Sequence, residues 1–259
     1  MKKSFLRSFL TKTFLLAGIC VHAQNDTYRD NNWHPEKGEF YFSDAITWEF
    51  LNETHPPDDE RYHGNFTIYA DPPTGTMVFT SEAYGSSSEM TDFIIVFQDG
   101  RYIEGFTDEF GRKGYLVDTL ARFADTVNDQ QWVVESFDKL IKPTGESKLF
   151  GEKKYGWPIM KAKGYELSYL MTNEKSNIYL SKHPYSLLPI YLFNELGSEA
   201  KLPVNFDFSQ VIPLQYWVVE DLYFAKSAGS KSEPKIRTVL KSVSPTEYFV
   251  NLSDYQLLK

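Results

Sequence analysis

Between Asn65 and Val117 the chain repeats one pattern: a short run with apolar side chains at every second position, then a turn signal. Phe66, Ile68 and Ala70 alternate with Asn65, Thr67 and Tyr69. Asp71-Pro72-Pro73-Thr74-Gly75 follows, with proline fixing φ and glycine free to reverse it. Thr76 to Thr80 returns as a strand, Gly85 to Ser88 is a loop, and Asp92 to Phe97 is the most apolar run. Asp99-Gly100 has the composition of a two-residue hairpin turn, after which Arg101 to Thr107 pairs back. Gly111 to Gly114 turns into Tyr115-Leu116-Val117. Strands joined in order by short turns form an antiparallel meander, and a period of two leaves each strand one face for a core.

Upstream, Ile46, Trp48 and Phe50 alternate with Thr47, Glu49 and Leu51, which suits a half-buried strand; a helix capped by Ser43 is the competing reading. Downstream the period changes. Leu120, Phe123 and Val127, then Val133, Phe137, Leu140 and Ile141, recur three and four apart. This predicts two amphipathic helices between Thr119 and Ile141, the second ended by Pro143. Thr144 to Lys163, rich in glycine and lysine, reads as loop. Strand patterns resume at 165–171 and 177–180, around Asn173 to Ser176, and again at 216–220, 237–240 and 248–252.

The first 23 residues are of another kind. Lys2, Lys3, Arg7 and Lys12 precede an apolar run from Phe14 to Val21, and Val21-His22-Ala23 offers a cleavage site. This is the order of an export signal, with Gln24 as the new N-terminus and a periplasmic or secreted product. The run is too short to cross a bilayer, which needs about 20 apolar residues. Cys20 raises lipid anchoring as an alternative, although Ile19 is bulky for the position before an acylated cysteine. Polar residues 24–38 read as a flexible lead-in, and 39–259 as a single domain.

The signal segment holds four of the 27 basic residues and none of the 35 acidic ones, so the remainder carries a net charge of −12. That balance disfavours nucleic acid as a partner. Cys20 is the only cysteine, so cleavage at Ala23 rules out a disulfide framework and a cysteine nucleophile. No later stretch reaches transmembrane length.

Chemistry-bearing motifs are sparse. His55 and His63 flank Asp58, Asp59 and Glu60, but Pro56 and Pro57 rule out a helical ligand pair, so no metal is expected. Glu82 with Glu89, and Asp108 with Glu109, are the carboxylate pairs that a polysaccharide hydrolase would need. All four sit beside turns, where acids serve solubility. Gly85-Ser86-Ser87-Ser88 lacks the Gly-x-Ser-x-Gly turn of a serine hydrolase, and no phosphate-binding glycine loop occurs. No catalytic residue and no cofactor is assigned. Aromatic residues make up 16 % of the chain. Trp48, Phe66, Phe79, Phe93, Phe97, Tyr102 and Phe106 fall on the strands and are the candidates for contact with an apolar ligand. A filled core would need the same residues.

Three stretches carry a resemblance: Phe66 to Lys113, with Gly75-Thr76-Met77-Val78-Phe79 and Gln98-Asp99-Gly100-Arg101-Tyr102; Gly164-Tyr165-Glu166-Leu167; and Tyr248 to Tyr255. In arrangement the chain resembles bacterial periplasmic proteins related to the lipoprotein carrier LolA, over most of its mature length. The resemblance implies an α+β, β-dominated fold: an antiparallel meander forming an incomplete, half-open β-barrel covered by helices. It also implies a non-enzymatic carrier of an acyl chain, lipid or lipoprotein. The inward arginine with which such carriers hold their lid has no match here. A secreted hydrolase and an envelope scaffold without a small ligand are the rival readings.

Overall fold

The computed structural model describes residues 29, 32–80, 91–119, 141–150, 160–168, 175–182, 216–224 and 233–258. Twelve strands form one sheet: β1 (Glu39–Asn52), β2 (His63–Asp71), β3 (Thr76–Thr80), β4 (Thr91–Val96), β5 (Arg101–Thr107), β6 (Lys113–Thr119), β7 (Ile141–Phe150), β8 (Met160–Ser168), β9 (Lys175–Lys182), β10 (Tyr216–Phe224), β11 (Ile236–Asn251) and β12 (Gln256–Leu257). Their spatial order is β12-β6-β5-β4-β3-β2-β1-β11-β10-β9-β8-β7. Every pairing is antiparallel except that of β12 with β6.

Two meanders therefore meet at a seam. One runs from β1 to β6 and the other from β7 to β11, and β1 pairs with β11 from Glu39↔Asn251 to Asn52↔Ile236. The bulges at Phe42/Asp44 and Thr47/Trp48 bend this seam.

The expected helix-covered half-barrel is not what forms. The sheet is open, with β12 and β7 at its two ends, and no helix of seven or more residues occurs among the described residues. Residues 120–140, which hold most of the two expected helices, lie outside the described residues. The end of the second one can be corrected: Ile141 and Pro143 belong to β7. Proline is tolerated there because β7 is an edge strand, where a missing N–H costs no ladder bond. The expected loop from Thr144 to Lys163 likewise supplies most of β7 and the start of β8. A register shift between Pro143 and Ser147, around Gly145 at φ +79°, broke the alternation that would have revealed the strand.

The hairpin at Asp99-Gly100 also differs in detail. Phe97 N donates to Arg101 O (2.9 Å) and Gly100 N to Phe97 O (3.0 Å), so the loop has three residues and ends on Gly100 at φ +84°. The β5–β6 connection repeats it: Asp108 N donates to Arg112 O (3.0 Å), and Gly111 has φ +76°. A turn closed by a left-handed glycine matches the twist of the strands on either side.

Strands β3 to β5, in the middle of the first meander, are buried on both faces. Ile68, Ala70, Met77, Phe79, Ile94, Val96 and Tyr102 belong to a larger apolar cluster, which continues through Ile46, Trp48, Leu240, Val219, Tyr179 and Ala162. The alternate residues Val78, Phe93, Ile95 and Ile103 join Phe40, Phe42, Val250 and Leu252 in a second cluster. Ile178 and Leu180 form a small third one with Tyr165.

Described residues of the 24–38 segment are tied down. Trp33 packs edge-on against Phe40 (5.7 Å) and Phe42 (6.2 Å). Arg29 lies over the Trp33 ring and forms an ion pair with Asp71. A 3-10 turn at Pro35–Lys37 ends on Gly38 (φ +76°), whose carbonyl accepts from Leu252 N at 2.9 Å.

Candidate functional site

The larger apolar cluster ends, on β7 to β11, at a group of charged side chains. Glu220 sits on β10 at a bulge, since Val218 pairs with Leu180 and Glu220 with Tyr179. Only 4 % of its side chain is exposed. Its Oε2 accepts from Lys148 Nζ at 2.5 Å and its Oε1 from Arg237 Nη2 at 3.2 Å. Lys148 Nζ also stands 4.0 Å from the centre of the Tyr179 ring, and Tyr179 Oη donates to Glu146 Oε2 at 2.6 Å.

The lysine comes from β7 and the glutamate from β10, three strands away. In a flat sheet that is roughly 14 Å between backbones, too far for a direct salt bridge, so the sheet curls here. Small residues permit the crossing: Ala162 is opposite Lys148 on β8, and Gly164 is opposite Tyr179.

Burial, then the hydrogen bond to Glu146 and the charges of Glu146 and Glu220, push the Tyr179 hydroxyl up to about 12. It is a hydrogen-bond donor at neutral pH and neither a base nor a nucleophile. Glu220 balances two cations, and Glu146 is engaged by Tyr179. The group works as an electrostatic staple at the end of an apolar surface.

The sequence-derived ligand residues fall into sets. Trp48, Phe66, Phe79 and Tyr102 belong to the larger cluster, where Trp48 and Phe66 stack at 5.3 Å with rings 8° from parallel. Phe93 and Phe97 belong to the second cluster. Phe106 is half-buried on β5, its ring beside Gly114. Half-buried Phe66, Leu116, Phe150, Met160, Leu222 and Val243 rim the larger cluster.

The other candidates are dispersed. Glu82 and Glu89 lie outside the described residues. Asp108 caps its own turn, accepting from the N–H groups of Phe110 and Arg112 and from Arg112 Nε. The Arg112 N–H is the main reason its carboxyl titrates below the usual range. His55 Nδ1 is 3.7 Å from Asp59, whereas His63 Nε2 is 3.3 Å from Glu49, so the two histidines serve different carboxylates. No group of three metal-ligating side chains occurs among the described residues.

Glu146, Lys148, Tyr179, Glu220 and Arg237 were not legible as a site. The one hint is Glu220 closing the apolar run Trp217-Val218-Val219.

No protein-family model matches this chain, and no curated protein does.

Proposed function

We propose that this is an exported, non-enzymatic binding protein that holds an apolar ligand, an acyl chain or lipid, against the larger apolar cluster. One observation carries the reading. The cluster is rimmed by half-buried hydrophobic side chains from β2, β6, β7, β8, β10 and β11, on a sheet that is open among the described residues, with β12 and β7 at its two ends. Covering such a rim with a guest is favourable by about 25 cal/mol per Å² of apolar surface removed from water. A lipoprotein would offer the same chemistry through its acyl chains. The N-terminal signal supports action outside the cytoplasm, with Gln24 as the first mature residue.

The test is titration of the delipidated mature protein with a fluorescent fatty acid. Saturable binding that Phe66→Asp and Met160→Asp each weaken is the expected result. A folded wild-type protein without saturable binding overturns the reading. N-terminal sequencing of the exported chain checks the localisation, and an acylated Cys20 at its start would replace a soluble carrier by an anchored one.

A further inference from the structure

Charge is unevenly distributed along the sheet. Strands β1 to β3 carry Glu39, Asp44, Glu49 and Asp71 and no lysine or arginine, whereas β7 to β9 carry six lysines against Glu146 and Glu166. The net acidity of the chain conceals a basic end.

Three of these lysines share one face with an exposed leucine. Lys161 is directly opposite Leu149, and Lys163 is opposite Ser147. Ala162 pairs with Ser181, so the next opposed positions are Lys161 and Lys182. Like charges facing each other across strands are destabilising. Both glutamates of these strands point the other way: Glu146 meets the Tyr179 hydroxyl, and Glu166 alternates with Gly164, which is opposite Tyr179. Lys161, Lys163 and Lys182 are exposed and make no ion pair among the described residues. Lys148, Lys175, Lys235, Lys241 and Arg237, in the same half of the sheet, all do. Leu149 is 73 % exposed in their midst.

Lysine often guards a sheet edge against mispairing. That role does not account for these three, because β8 and β9 are interior strands and the edge is β7. An array of uncompensated cations around a projecting leucine fits a surface that is anionic outside and apolar just beneath.

We propose that the face bearing Leu149, Lys161, Lys163 and Lys182 docks the protein on an anionic lipid bilayer. Lys161 and Lys163, about 7 Å apart along β8, meet the headgroup charges together with Lys182 of β9, and Leu149 enters the interface. This does not depend on where, or whether, an apolar ligand binds.

The test is co-sedimentation of the mature protein with phosphatidylcholine vesicles, with and without about 30 mol % phosphatidylglycerol. Binding should require phosphatidylglycerol and fall with added salt. Lys161→Ala with Lys163→Ala should weaken it about 25-fold, near five-fold per lysine, with a melting temperature no lower than that of the wild type, since the repulsion between Lys161 and Lys182 is relieved. Leu149→Ser should weaken it while leaving the charge of the face unchanged. Absence of binding to the anionic vesicles at low salt, or equal binding by the double variant, overturns the proposal. So does equally tight binding to a DNA duplex that Leu149→Ser leaves unchanged, which would mark a general polyanion surface.

Discussion

Arg29 grips Asp71 through two parallel hydrogen bonds, Nε to Oδ1 at 2.7 Å and Nη2 to Oδ2 at 2.9 Å. The Asp71 side chain is 0 % exposed, and Thr74 adds its hydroxyl (2.6 Å) and backbone N–H (3.2 Å) to the same Oδ2. A segment with no apolar periodicity is thereby fastened to the β2–β3 turn. Removing one partner of a buried pair leaves an uncompensated charge. Arg29→Ala should therefore cost about 3–5 kcal/mol in urea unfolding. Arg29→Met combined with Asp71→Asn should cost less than Arg29→Ala alone, because no buried charge remains. Equal losses would show that packing over Trp33, and not charge, holds the segment.

Two glycines separate backbone strain from steric fit. Gly111 has φ +76°, and beyond its two chain neighbours no atom lies within 4 Å of where a Cβ would stand. Gly111→Ala should cost about 1 kcal/mol, with Gly111→Asn cheaper, since asparagine tolerates this region better. Gly105 lacks that φ, but a Cβ there would collide with the ring of Phe93. Phe93 is itself buried, so Gly105→Ala should cost about 1–3 kcal/mol, and a smaller residue at 93 should recover part of it. Denaturation midpoints of the variants decide both.

Tyr179 sets an alkaline limit. Its folded pKa, about 12, is above the ordinary value of 10.0, so the folded state holds the phenol proton more tightly than the unfolded chain does. The stability it contributes is complete below about pH 10 and is lost as pH rises through about 12. The difference between wild type and Tyr179→Phe in urea midpoint should be constant from pH 7 to about 10 and shrink above it. A difference that grows with pH would contradict the hydrogen bond to Glu146.

Glu220 should matter more than either of its cations. Lys148 and Arg237 are 42 % and 55 % exposed, and each alone still leaves the carboxylate one partner. Lys148→Met and Arg237→Met should each cost less than about 1 kcal/mol, after solvent screening. Glu220→Ala removes the shared acceptor and should cost about 2 kcal/mol. Thermal melts of the three variants rank them.

From Phe66 to Val117 the strands were readable because their signals are local; the expected loop at Gly85 to Ser88 lies outside the described residues. Alternation, Gly75, Gly100 and Gly111 all act within a few residues. The same locality explains what was misread. In Pro143-Thr144-Gly145 a proline and a left-handed glycine imitate a loop, and only the pairing with β8 shows that they form a bulged edge strand. The run Phe93-Ile94-Ile95-Val96 is apolar on both faces, so its sequence carried no parity. One position separates Phe93, in the second cluster, from Ile94, in the larger one. The long-range ion pairs were out of reach, since Arg29 and Asp71 are 42 residues apart and Lys148 and Glu220 are 72 apart. Such pairings exist only once the sheet has assembled.

The seam between β1 and β11 has a consequence for the order of assembly. Within each meander, neighbouring strands are close in sequence and can zip with little loop-closure entropy. The two halves are joined by strands whose first bonded pair, Glu39 with Asn251, is 212 positions apart in the chain. During synthesis, which begins at the N-terminus, β1 can pair with β2 early but cannot acquire its other neighbour until Ile236 to Asn251 has emerged. Until then β1 is an open edge carrying Phe40, Phe42, Ile46 and Trp48, so the half-made protein is at its most aggregation-prone along the strand that later lies mid-sheet.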